Sequence, residues 1–307
     1  MSNALPDFII VGAMKCATTT LHEQLSAQTG IFMTALKEPQ FFSDDDVYAQ
    51  GLDWYLDLFS AATPDELCGE SSTHYTKLPT YPHTIDRLKA YAPNVKLIYI
   101  MRDPIERLVS QYVHEWSQRV ISSPLSSAIK SHAELHQYSL YSMQLRPYLE
   151  AFGPRQVLPV FLERIKQSPE AELARIGRFL ALEEPTVWQI ETAHRHSSRN
   201  RLRRSPLRDA IVNAPVLSDI RQNLVPKSVR RWVKGLWQMQ ERPELSKRDR
   251  TWLAEIINPD LAILGEWLGL ESLTCENFTS VVTQSQPEWA IQSCPCPNYS
   301  GVRYNAQ

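Results

Sequence analysis

Phe8–Val11 is an apolar run cut off by Gly12. A loop follows with one lysine, Lys15, and three hydroxyl residues, Thr18, Thr19 and Thr20; helix-like sequence then runs through Leu21 and Leu25. This reads as a buried strand, an anion-cradling turn and a helix N-terminus. Free backbone N–H groups at such a start share one direction and carry partial positive charge, to which Lys15 adds a full charge. The ligand this suits is a phosphate or sulfate group. The spacing differs from the nucleotide-triphosphate loop G-x-x-x-x-G-K-[ST]. Here the lysine comes three residues after the glycine, and hydroxyls follow where that motif has its lysine.

Further apolar runs repeat the strand pattern. Ile31–Met33 is a short piece, Leu67–Glu70 a second strand candidate, Val95–Met101 a third and Gln156–Phe161 a fourth. Helical patterns are read at Gly51–Phe59, Pro79–Tyr91, Ile105–Arg119, Tyr138–Phe152, Glu170–Leu180 and Ser246–Leu268, the last interrupted near Pro259. Ser122–Ser127 reads as a loop. Strands alternating with helices predict an α/β fold, a central parallel sheet with helices on both faces. Ligands of such sheets bind at the C-terminal strand ends. Both the Lys15 loop and the Arg102-Asp103-Pro104 turn fall at such ends, with Pro104 suited to the first helical turn.

Composition excludes some partners. The net charge of −2 gives no global pull toward nucleic acid, so a basic site must be local. No apolar run reaches the ~18–20 residues of a membrane span. The opening MSNALPDF does not read as a secretory signal. Cysteines at 16, 68, 275, 294 and 296 are scattered, not a disulfide framework, and a cytoplasmic location is expected. The basic stretch 194–208 reads either as a solvated surface or as a ligand-covering lid, and Lys227–Gln238 as an amphipathic helix. Residues 272–307 read as a peripheral tail to a single domain of residues 1–271.

Two of these segments together carry a resemblance. VGAMKCATTTL resembles the 5′-phosphosulfate loop of sulfotransferases that use 3′-phosphoadenosine 5′-phosphosulfate (PAPS). YIMRDPIERLVSQY resembles their 3′-phosphate segment, in which an arginine and, eight residues later, a serine grip the ribose phosphate; Arg102 and Ser110 have that spacing. KEPQFF followed by GLDWYLDLF is similar to the catalytic stretch of heparan-sulfate-type and related bacterial sulfotransferases. The likeness covers residues 8–182, with a weaker echo to 270, and implies a P-loop-like three-layer fold. Ala17 stands where many members have glycine, so a right-handed backbone is expected there, or else strain. Ser71 stands where a substrate-facing lysine often follows the glutamate, which weakens the case for a highly anionic polysaccharide acceptor.

The resemblance implies roles. Lys15 would act on the leaving oxygen and sulfate. Residues Cys16, Ala17, Thr18, Thr19 and Thr20 would hold the 5′-phosphate, Arg102 and Ser110 the 3′-phosphate, and Arg199 would cover them. Glu38 would be the general base toward a small-molecule hydroxyl or amine, with His74 and His114 as competitors. In-line sulfuryl transfer depends on positioning and electrostatics, with no metal obviously required. A nucleotide-triphosphate-dependent kinase, a glycan or lipid-linked sugar sulfotransferase and a non-catalytic polyanion-binding module are the alternatives.

Overall fold

The computed structural model describes residues 5–190 and 242–291. Five strands form one parallel sheet in the order β2-β3-β1-β4-β5. They are β1 (Phe8–Gly12), β2 (Ile31–Met33), β3 (Leu67–Ser71), β4 (Lys96–Met101) and β5 (Val157–Phe161). All five residues of β1 and of β5 are buried, as a sheet covered on both faces requires. The covering helices include α1 (Thr18–Ser26), α2 (Asp45–Tyr48), α3 (Leu52–Asp57), α4 (Thr84–Tyr91), α5 (Pro104–Gln118), α6 (Leu125–Ser131) and α7 (Glu134–Gln137). Beyond them come α8 (Tyr141–Phe152), α9 (Leu162–Gln167), α10 (Pro169–Leu180), α11 (Lys247–Trp267) and α12 (Phe278–Gln284).

The strand order places the site. From β1 the chain crosses to β2 on one side, and from β4 it crosses to β5 on the other. The neighbours β1 and β4 therefore flank the switch point, where connections part and leave a crevice beyond the strand ends. The Lys15 loop leaves β1 there and Arg102 leaves β4.

Four expectations are corrected. The helix read from Pro79 starts only at Thr84, because Pro79 and Pro82 bias the residues before them away from helical backbone. The loop read at 122–127 turns into α6 at Leu125. Pro259 does not interrupt α11. Leu253, Ile257, Leu261 and Leu264 form one fully buried face that passes the proline. Each such side chain contributes about 1.5–3 kcal/mol, so the four together outweigh the ~3 kcal/mol of an interior proline. Residues 272–291 are not a peripheral tail: Leu273, Phe278 and Val282 are fully buried, α12 lies against α9, and Trp289 donates from Nε1 to the Val157 carbonyl at 2.6 Å.

Candidate active site

The loop after β1 is shaped by backbone rather than by side-chain caps. Gly12 leaves β1 against Thr76, whose hydroxyl donates to the Val11 carbonyl at 2.8 Å; a Cβ at Gly12 would lie 2.0 Å from that oxygen. Ala13 N–H donates to Ile100 on β4 and Cys16 N–H closes the turn onto Ala13. Lys15 and Ala17 take left-handed backbone, with φ of 71° and 65°. The second of the two alternatives for Ala17 therefore holds: it is the N-cap of α1 in a conformation that costs an L-residue. The N–H groups of the first turn of α1, at Thr18–Thr20, have no side-chain cap. The Cys16 thiol is fully buried, and burial pushes it up to about 12. It is no nucleophile, and its part in the loop is that of the backbone.

Arg102 joins the two anion segments. Its Nη1 donates to the Lys15 carbonyl at 3.4 Å and its Nη2 to Glu106 at 3.1 Å. Glu106 also accepts from Arg242 at 2.7 Å. The Tyr141 hydroxyl brackets the Arg102 backbone, donating to its carbonyl at 2.6 Å and accepting from its N–H at 3.3 Å. Ser110 is buried on α5, two helical turns beyond Arg102. Arg107, between them, is fully buried and spends its guanidinium on Ser139, Gln111 and the Leu135 carbonyl, so it holds the fold.

Glu38 enters from the β2 side. Its N–H donates to the Ser71 carbonyl at 2.9 Å. Its Oε2 accepts from Thr73 N–H at 2.6 Å and its Oε1 pairs with Lys37 at 2.6 Å. Glu38 and Gln40 both have left-handed backbone, with φ of 59° and 60°. Among the described residues, four of the six non-glycine residues with positive φ thus sit on the two site loops. Beneath them lies an aromatic platform: Phe41 stacks on Tyr55 at 4.6 Å between centroids, and Phe42 packs on Tyr55 and Tyr75. Buried Glu70 accepts from the hydroxyls of Tyr55, Tyr75 and Ser72 at 2.8–2.9 Å. Ser72 and Tyr75 in turn accept from the N–H groups of Gln40 and Phe42. Glu70 therefore fixes the segment that carries Glu38.

The competitors differ. His74 stacks on Tyr81 at 4.7 Å, and burial, aided by the charge of Lys77, pushes its imidazole down to about 4, so it is neutral near pH 7. It sits beside Thr73, the partner of Glu38. His114 lies mid-way along α5, partly exposed. Arg199, the basic stretch 194–208, Lys227–Gln238 and Cys294 and Cys296 lie outside the described residues.

Thr73, Ser72 and the Glu70 platform were not singled out in the sequence. Their signal is weak: a hydroxyl-rich THYT directly after a strand end. Among the described residues no group of three or more His, Cys, Asp or Glu side chains is placed to hold a metal ion, and no helix is long and apolar enough to cross a membrane.

Comparison with known proteins converges on one domain. The family model for a sulfotransferase domain matches residues 5–261. Heparan sulfate glucosamine 3-O-sulfotransferase 3B1 from Mus musculus is 31% identical over 190 residues, 59% of this chain and 47% of that protein. The membrane-associated sulfotransferase kil1 of Dictyostelium discoideum is 35% identical over 159 residues, 50% of this chain and 33% of that protein. The chain thus spans half or less of these relatives' length. The crystal structure of a sulfotransferase from Alicyclobacillus acidocaldarius aligns with a TM-score of 0.59 at 22% identity, covering 86% of this chain and 95% of the other, a likeness of fold.

Proposed function

The chain belongs to the sulfotransferase domain family, and we propose on that footing that it moves a sulfuryl group from PAPS to a hydroxyl or amine of a small-molecule acceptor, with Glu38 as general base. The observation that carries the reading is the contact between Arg102 and the Lys15 carbonyl at the sheet's switch point. It sets two anion-binding elements side by side, as a nucleotide with phosphates at both ends of one nucleoside needs. The uncapped start of α1 and the hydroxyls of Thr18–Thr20 would hold the 5′-phosphate, and Arg102 with Ser110 the 3′-phosphate. Lys15 would neutralise charge growing on the bridging oxygen as it leaves.

Glu38 suits proton abstraction because Thr73 and its own backbone bond to Ser71 fix its carboxylate. Lys37 covers one oxygen and would have to swing aside or follow the acceptor. A glycan acceptor is the second reading, favoured by the match to heparan sulfate enzymes. A cytoplasmic location is proposed from the free thiols of Cys16, Cys68 and Cys275.

The test uses radiolabelled PAPS with fractionated metabolites and, separately, desulfated glycans, alongside calorimetry of PAPS binding. Wild-type protein is expected to bind PAPS and label a small-molecule fraction. Glu38→Gln should keep donor affinity and lose transfer about 10²–10⁴-fold. Absence of both donor binding and labelled product overturns the reading, and near-wild-type transfer by Glu38→Gln dismisses Glu38 in favour of a histidine.

A further inference from the structure

Ser71, the last residue of β3, is fully buried and bonded through both its carbonyl and its hydroxyl. The carbonyl accepts the Glu38 N–H at 2.9 Å. The hydroxyl shares a buried hydrogen bond of 2.8 Å with Nδ1 of His22, 49 residues earlier on α1. His22 is itself only 9% exposed. Burial, aided by the charge of Lys37, pushes its imidazole down to about 4, so the ring is neutral near pH 7.

This pair joins the helix of the donor loop to the strand end beneath Glu38. His22 lies one helical turn beyond Thr18, on the same buried face of α1. Thr18 opens the helix whose first turn is assigned the donor's 5′-phosphate. Successive side chains of a strand point to opposite faces. Glu70 therefore reaches the aromatic platform, while Ser71 turns to α1. The β1–β3 ladder ends here, its last pair being Ile10 with Ser71. Ser72 and Thr73, which follow, hold the Gln40 N–H and the Glu38 carboxylate. His22 thus anchors the strand at the residue from which the hold on Glu38 begins. A leucine and an alanine would fill the two places without burying polar groups. What the bond adds is a fixed direction between helix and strand end.

We propose that His22 is a positioning residue for Glu38: through Ser71 it fixes the strand end that holds Glu38 relative to the helix that holds the donor. The proposal rests on the sulfotransferase reading for the role of Glu38 and for the donor at α1. The link from His22 to the Glu38 N–H stands on the two hydrogen bonds alone. In-line transfer needs the acceptor oxygen, the sulfur and the leaving oxygen in one line. A base that drifts relative to the donor therefore loses rate with little loss of binding.

The experiment takes the full chain as wild type, His22→Leu, His22→Asn and Ser71→Ala. Leucine keeps bulk and loses the bond; asparagine puts a hydrogen-bonding atom where Nδ1 stands. Three quantities are measured. They are amide hydrogen exchange at Glu38, affinity for adenosine 3′,5′-bisphosphate by calorimetry, and single-turnover transfer of labelled sulfate from PAPS to the metabolite fraction that wild-type protein labels. In His22→Leu and Ser71→Ala the Glu38 amide should exchange about tenfold faster, with the Ile98 and Tyr99 amides of β4 unchanged. Transfer should fall about tenfold or more while bisphosphate affinity is retained, and His22→Asn should recover most of both losses. A purely structural His22 would speed exchange across the sheet and weaken bisphosphate binding in step with transfer; that result overturns the proposal. So does an unchanged Glu38 amide, or wild-type transfer by His22→Leu. If His22→Leu does not fold, Ser71→Ala and His22→Asn decide it. If wild-type protein neither binds the bisphosphate nor transfers sulfate, the sulfotransferase reading fails, and the Glu38 amide alone decides the link.

Discussion

Arg102 at the end of β4 donates to the carbonyl of Lys15, 87 residues earlier, at 3.4 Å. One guanidinium thereby holds the backbone of the Lys15 loop while its other nitrogen pairs with Glu106. Donor binding would re-aim that second nitrogen from Glu106 to a phosphate. Arg102→Ala is expected to weaken binding of adenosine 3′,5′-bisphosphate (PAP) by about 1.5–3 kcal/mol, and Arg102→Lys to recover only part, since a lysine cannot make both contacts. Calorimetry with PAP checks this; unchanged affinity in Arg102→Ala would remove Arg102 from the donor site.

Lys15 should separate binding from turnover. On the proposed role of Lys15 at the leaving oxygen, Lys15→Met is expected to lower kcat about 10²–10³-fold, with a smaller change in PAPS affinity. Single-turnover transfer of labelled sulfate measures the first, calorimetry the second. Equal losses in both would make Lys15 a binding residue alone.

Ala17 carries a cost visible in its backbone. At φ 65° and ψ 28° an alanine is about 1 kcal/mol worse than glycine. Ala17→Gly should therefore stabilise the protein by about 1 kcal/mol, read from the urea midpoint, with PAP affinity retained. A destabilised Ala17→Gly would mean that the methyl group packs more favourably than the strain costs.

The strand frame was legible where an apolar run ends in a residue that breaks it. Gly12 stops β1, and Pro104 opens α5 right after β4. The two anion loops followed from the same punctuation, since both fall at C-terminal strand ends. The support beneath Glu38 was not legible. Glu70 reaches Tyr55 and Tyr75 only because β3 lies beside the KEPQFF segment, and no local period reports such a meeting. Residues 272–291 lacked a helical period because α12 has just seven residues and buries only Phe278 and Val282.

Tyr141 is held in place from far along the chain. Leu140, the N-cap of α8, has no side-chain acceptor. Asp260 on α11 replaces it, accepting from Ser142 N–H and Met143 N–H at 2.9 Å each and from the Ser142 hydroxyl. That cap seats Tyr141, whose hydroxyl brackets Arg102. Asp260→Ala is expected to cost about 2–4 kcal/mol of stability, through three lost charge-assisted bonds in a buried place. Tyr141→Phe should cost less stability yet lower PAP affinity. Chemical denaturation and calorimetry on the pair separate the two; full PAP affinity in Tyr141→Phe would show that Arg102 holds its place without the hydroxyl.

Glu70 should give the protein a pH-dependent stability of its own. Burial, only partly offset by hydrogen bonds from Tyr75, Ser72 and Tyr55, pushes its carboxyl up from 4.5 to about 7. The folded state therefore holds the proton more tightly than the unfolded chain. The resulting stabilisation is fully present below pH 4.5 and is lost as pH rises through about 7. A shift of this size corresponds to about 3 kcal/mol. Glu70→Gln carries no such proton, so the stability of wild-type protein relative to Glu70→Gln should fall by about 3 kcal/mol between pH 4.5 and 8, with most of the loss below 7. Urea denaturation of the two proteins across that range measures it, and a constant difference would show that Glu70 is ionised throughout. The same ionisation reaches the active site: a charged Glu70 is the stronger acceptor for Ser72 and Tyr75, the two hydroxyls that receive Gln40 and Phe42 N–H. The segment carrying Glu38 should then be held more firmly above pH 7, where the fold as a whole is less stable.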